Sequence, residues 1–247
     1  MRASTRRTLL LGALLAPAAA PAAPWSFGGT TRGSGTVTRE VRVVEAFDTM
    51  RLSGSVKVEL RQGERDGIEV ETDDNLQPLI EVVHRGAALD IGQRGNIKPT
   101  TLSIVVTARR IDALTVSGAA GLVAPGRWKA EKLRLDIGGA GVIKFSDLAV
   151  EQLSVDGGGS GVLNLGGSAG VLRGALGGAS TLSAKRLSTR EADLRIGGSA
   201  QAVLWVRESL QGSVGGAGAL RYYGKPRADV ARGGAGKVAA LGLTPPP

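Results

Sequence analysis

The sequence predicts an all-β protein: a right-handed parallel β-helix, a solenoid of coils about 18–21 residues long. Three observations carry that reading. First, a glycine followed by Ala or Ser recurs at Gly118-Ala119, Gly139-Ala140, Gly159-Ser160, Gly178-Ala179, Gly198-Ser199, Gly216-Ala217 and Gly234-Ala235, in steps of 21, 20, 19, 20, 18 and 18 residues. So regular a period is the mark of a stacked repeat. Second, counting from each glycine as zero, positions +4 (Leu122, Ile143, Leu163, Leu182, Ala202, Leu220, Val238) and +6 (Ala124, Phe145, Leu165, Ala184, Leu204, Tyr222, Ala240) are apolar or aromatic. In the first six copies, positions −4 and −2 are apolar or glycine. Third, the residues between them are mostly polar, so the alternation has the period of two that belongs to a strand with one buried face.

Each repeat therefore reads as strand, glycine corner, strand and a looser return. Glycine suits a corner because a sharp bend often needs a positive φ that a Cβ penalises. The small Ala or Ser beside it is expected to point into a narrow interior. Corners stacked at the strand spacing of about 4.8 Å would build a parallel ladder around an apolar channel. A leucine-rich solenoid has a similar period, but it needs a recurring Asn or Cys, and none recurs here.

Taken in order, residues 1–22 read as an export signal. Arg2, Arg6 and Arg7 form the basic region, Leu9 to Ala16 the apolar core, and Ala20-Pro21-Ala22 the small residues before cleavage. The apolar core falls short of the roughly 20 residues of a membrane span. Sec and twin-arginine export fit the paired arginines equally well. Residues 23–36 read as a Gly/Ser/Thr-rich linker, 37–242 as a single β-helix domain, and 243–247 as a proline-rich tail that cannot donate ladder hydrogen bonds. Within the domain, 113–242 are regular coils and 37–112 irregular early ones. Gly54-Ser55, with Val58 at +4 and Leu60 at +6, fits the corner register, and the 64 residues from Gly54 to Gly118 correspond to about three coils.

Composition limits the chemistry. The chain has no cysteine, which excludes disulfides, thiol catalysis and thiolate metal sites. Its formal charge of +9 falls to +6 once the first 22 residues, with three arginines and no acid, are removed. This modest excess favours an acidic polysaccharide or a membrane surface as partner. Basic residues scattered among acids, together with few aromatics, argue against nucleic acid.

Val41–Phe47, the run Leu52-Ser-Gly-Ser-Val-Lys-Val-Glu-Leu60, the segment Asp73-Asp74-Asn75-Leu76-Gln77-Pro78-Leu79-Ile80 and the Gly-Ala/Gly-Ser rungs together resemble the head GIN-domain family of auto-transporter adhesins. The resemblance covers nearly all of residues 37–240. It implies a β-helix fold and an adhesin-like role, and it is nearly silent on activity.

Several residues are candidates for a ligand face. Asp136 and Asp156 occupy position −3 in successive coils, which would bring two carboxylates within about 5 Å, an arrangement suited to acid–base work or metal capture. Arg134 and Arg173 at −5, and Arg195 at −3, would turn the same face into a mixed-charge surface ladder instead. Trp205 and Tyr223 both fall at +7 and could stack sugar rings, or pack beneath a return. Glu69, Glu71 and Asp73 line one strand face beside Asp74, either solvated or holding a cation. His84, the single histidine, has no triad partner suggested by the sequence. A calcium β-roll is excluded because its aspartate position holds Val142-Ile143 or Val162-Leu163. No catalytic residue, metal site or cofactor is expected.

The expected function is an exported, non-catalytic, adhesin-like module of the periplasm or cell surface, binding envelope polysaccharide or a surface protein. The alternative is a polysaccharide lyase or glycoside hydrolase acting through Asp136 and Asp156. Self-association through an open ladder end is a third expectation.

Overall fold

The computed structural model describes residues 29–246, so the expected signal segment and the first part of the linker lie outside the described residues. Five long strands follow one another: Gly121–Ile137, Val142–Gly157, Val162–Leu176, Thr181–Ile196 and Gln201–Val214. Each pairs in parallel with the next, so that Leu135, Val155, Gly174, Leu194 and Gly212 form one column. The protein is a β-solenoid, as the period requires.

The corners show why glycine recurs. Gly54, Gly118, Gly139, Gly159, Gly178, Gly198, Gly216 and Gly234 all have φ between 63° and 77°. No other residue type in the described chain has a positive φ, so the Ala or Ser that follows is in ordinary backbone. Positive φ at the first central residue alone is the signature of a type II′ turn. The turn closes from position +2 back to −1, as in Ser180 N–H to Gly177 O at 3.3 Å and Ala200 N–H to Gly197 O at 3.3 Å.

Turns of successive coils are bonded to each other. The +1 amide donates to the corner glycine carbonyl one coil back: Ala140 to Gly118 and Ser160 to Gly139 at 2.8 Å, Ala179 to Gly159 and Ser199 to Gly178 at 2.7 Å. The ladder therefore runs unbroken through the bends. This leaves no room for a side chain. A Cβ on Gly159 would lie 2.6 Å from the Gly139 oxygen, and one on Gly178 would lie 2.5 Å from the Gly159 oxygen.

Two expectations are corrected here. The +1 residues (Ala119, Ala140, Ser160, Ala179, Ser199) are exposed on the turn and do not enter the interior. The inward position is +2, held by Val56, Ala120, Gly141, Gly161, Ser180 and Ala200. It is small because the −2 side chains fill the channel: a Cβ on Gly161 would meet Ile137 at 2.7 Å. The looser return is also a strand. Each long strand bends at a register shift, such as that between Phe145 and Leu148, and continues as a third sheet. That sheet buries Trp128, Leu148 and Leu187, with Trp128 edge-on to Phe145 at 6.3 Å between ring centroids.

A third correction concerns the early region. Gly118 lies directly against Gly54: a Cβ there would be 2.8 Å from the Gly54 oxygen, and Ala119 N–H donates to that oxygen at 2.8 Å. The two corners are neighbours, and no three coils separate them. The intervening chain leaves the parallel path. Gly67–Asp73 runs antiparallel to both Leu102–Ala108 and Val37–Arg42, and Ile80–Arg85 forms a hairpin with Ala88–Gln93. These strands extend the same sheets through Lys57–Gln62 and Thr49–Leu52, and so cap the solenoid.

A short 3₁₀ segment, Asp74–Leu79, buries Leu76 and Gln77 in the cap. Gln77 Nε2 donates to the carbonyls of Thr38 and Val70, while Arg42 donates to the carbonyls of Ile80 and Gln77. Beside it, Asp73 is fully buried. Its carboxylate accepts the Thr100 hydroxyl at 2.6 Å, the Thr100 amide at 2.8 Å and the Gly35 amide at 2.8 Å. Thr31–Arg32, from the stretch read as linker, pairs with Ile97–Lys98. Asp73 thus ties the entering chain to the loop at Thr100.

The Thr100 hydroxyl hydrogen bond, against the opposing effect of burial, holds the Asp73 carboxyl below its ordinary value. A lowered native pKa contributes stability above the unfolded value, and that contribution disappears as pH falls through the native one. Asp73→Asn should lower the denaturation midpoint at neutral pH and lose that acid-side slope; stability curves for variant and parent that stay parallel below pH 4 would contradict this. At the corners, Gly159→Ala should cost at least about 1–2 kcal/mol in chemical denaturation from its left-handed backbone alone. Gly158→Ala is the control. It has ordinary φ and its nearest contact, the Ile137 oxygen, is 3.9 Å away, so it should change stability by less than about 0.5 kcal/mol.

Candidate functional site

The sheet that leads into each corner presents two outward columns. At −3 the register aligns Thr115, Asp136, Asp156, Ala175, Arg195 and Ser213; at −5 it aligns Ala113, Arg134, Ser154, Arg173, Asp193 and Gln211. The ladder hydrogen bonds beneath fix both columns, so their spacing is set by backbone geometry. Asp136 and Asp156 are direct neighbours, as their shared register position implies.

Arg134 meets both carboxylates. Its guanidinium donates to Asp136 through Nε and Nη2 at 2.9 Å and reaches Asp156 Oδ2 at 2.7 Å. The hydrogen bond to Asp136, then the charges of Asp136 and Asp156, hold the Arg134 pKa above its ordinary value. The two aspartates are therefore a cation-bridged pair on an open surface, with Asp156 side-chain exposure at 39%. Such exposed pairs contribute little to stability because water and salt screen them.

Two coils further on the pattern changes. Ala175 replaces an acid in the −3 column, and Arg173 and Arg195 stand diagonally across it. Arg134, Ser154, Asp156, Arg173, Asp193 and Arg195 border this recess over Gly174 and Ala175. A second shallow trough runs beside it over Gly158, Gly177 and Gly197 at position −1. Those glycines have ordinary φ, and the nearest atoms to an added Cβ are 3.8–4.0 Å away. Backbone conformation and packing would both admit alanine there.

Trp205 and Tyr223 are aligned partners in neighbouring strands and are both half-buried. They lie beyond the Gly198 and Gly216 corners, on a different sheet from the charged columns. The structure thus brings Asp136, Asp156, Arg134, Arg173 and Arg195 together and places Trp205 and Tyr223 apart. Glu69 and Glu71 are bridged by Arg39 at 3.2 Å and 3.3 Å, while Asp73 serves the cap. His84 packs edge-on to Phe47, with its ring nitrogens buried. Among the described residues, no group of three or more acids and histidines is placed to hold a metal ion, and no helix is long and apolar enough to cross a membrane.

Asp193, Ser154 and the −1 glycines are the parts of this face that the sequence did not single out. Asp193 shares the −5 register with Arg134 and Arg173, and six of the seven regular corners, all those after Gly118, carry glycine at −1, so both signals were present in the repeat alignment.

Fold and face together define a stacked-coil β-solenoid with open, charged flanks. Its residues 46–226 match the family described as "Putative auto-transporter adhesin, head GIN domain", and the chain belongs to that family. A putative adhesin from Bacteroides fragilis has the same fold, with a TM-score of 0.79 at 18% identity over 85% of this chain and 99% of the other. A putative adhesin from Parabacteroides distasonis (0.73, 18%, 86% and 100%) and a putative lipid binding protein from the same species (0.71, 16%, 86% and 100%) are also similar. At these identities the likeness concerns the fold. No curated protein matches the chain.

Proposed function

We propose that the protein is an exported, non-catalytic module of the cell envelope, adhesin-like in role, whose charged flank binds an extended envelope component. The observation that carries this is the pair of −3 and −5 columns: charged side chains repeated at ladder spacing on a rigid, open surface. A surface of that kind meets a long ligand at several coils at once. Membership of an adhesin family supports the same reading, as does the predicted signal segment at residues 1–22.

The non-catalytic reading draws on Arg134. General acid–base work by neighbouring carboxylates needs one of them held protonated in a water-poor site. Asp136 and Asp156 share a guanidinium and face solvent, the arrangement of a structural ion-pair ladder. Water is not excluded from this surface, so a developing charge would gain little from it.

The test is retention of the processed protein, residues 23–247, on polysaccharide, protein and lipid fractions of the envelope, with turnover of acidic glycans measured in parallel. Salt-sensitive retention on one fraction, with no turnover, is expected. Turnover that is lost in Asp136→Asn or Asp156→Asn would replace this reading with an enzymatic one.

A further inference from the structure

The charged ladder is ion-paired on one side and open on the other. Arg134 bridges Asp136 and Asp156 through two ion pairs, so this side keeps one net negative charge. Arg173 and Arg195 belong to no ion pair among the described residues, although Asp193 is the register partner of Arg173. Both arginines are exposed, and between them the −3 column drops to the methyl group of Ala175. Diagonal neighbours on adjacent strands lie about 7–8 Å apart, so two long guanidinium arms can close on one small anion seated over that methyl.

We propose that the recess over Ala175 is a subsite for the carboxylate of an acidic sugar polymer lying across the coils. This deepens the reading of the flank as a binding face and rests on it. Guanidinium forks match planar carboxylates and can hold them in bidentate fashion. Asp156 and Asp193 also border the recess and supply acceptors for hydroxyl groups next to that carboxylate. They also disfavour a densely charged sulfated or phosphorylated chain, because three acids (Asp136, Asp156, Asp193) balance three arginines over the whole face. The bare −1 positions Gly158, Gly177 and Gly197 leave a trough beside the recess where a sugar ring can approach the backbone.

The experiment is calorimetric titration of the processed protein with oligogalacturonate, and with its methyl ester. Arg173→Gln and Arg195→Gln should each weaken oligogalacturonate binding at least about tenfold, the loss of one charge-assisted contact. Ala175→Leu, which fills the recess and keeps both arginines, should do the same with an unchanged denaturation midpoint. Arg232→Gln, on the last coil, should bind as the parent does. Failure of the parent to bind, equal binding of the ester, indifference to Arg173→Gln and Arg195→Gln, or preference for dextran sulfate would each overturn the subsite. Retention of the double arginine variant on envelopes at the parent's level would overturn the subsite and leave the envelope role standing. Arginine-dependent oligogalacturonate binding without envelope retention would do the reverse.

Discussion

One contact governs this molecule: the corner amide of each coil bonded to the glycine carbonyl of the coil before it. Because that bond is 2.7–2.8 Å long at every regular corner, successive turns lie too close for any Cβ between them. Glycine is needed twice over, for its left-handed φ and for the missing atom. Once the corners are locked, the strands on both sides have no freedom of register, and every inward column follows. The interior adapts to that constraint: wide Ile137 and Leu176 at −2 are met by Gly161 and Ser180 at +2. The outward columns inherit the same order, which is why charges on this protein repeat at ladder spacing.

A solenoid has two ends, and this one treats them differently. The early region turns its strands antiparallel and lays Asp74–Leu79 into the cap, with Gln77, Arg42 and Asp73 satisfying backbone groups there. A buried carboxylate with three hydrogen bonds is a pH-sensitive way to hold a chain, since protonation removes its advantage. The far coil, Arg227–Arg232 with Lys237–Gly242, completes the parallel ladder with mostly exposed residues.

Much of the fold was legible because its signals are local and repeated. Glycine spacing, the ±2 alternation and the apolar +4 and +6 columns each map onto one physical demand. What escaped was set by geometry between distant residues. Nothing local says that Gly54 touches Gly118, because the chain between them carries ordinary strand patterns that run parallel or antiparallel alike. The +1 and +2 positions are both small, and only the turn type decides which of them enters the channel. On the charged flank, the neighbours Asp136 and Asp156 followed from register, but the bridging reach of Arg134 and the unpaired state of Arg173 and Arg195 depend on side-chain conformations. Trp205 and Tyr223 align as the repeat implies; the corner between them and the charged columns puts them on another sheet.

The corner bond can be observed directly by amide hydrogen exchange. Ala140, Ser160, Ala179 and Ser199 sit on exposed turns, where amides ordinarily exchange fast. If those turns are stacked through backbone hydrogen bonds, the four amides should exchange as slowly as the buried strand amides of Leu163 and Leu182. Exchange at the rate of free surface turns would mean that the coils are not joined at their corners, and the account of glycine, register and charged columns would fail with it.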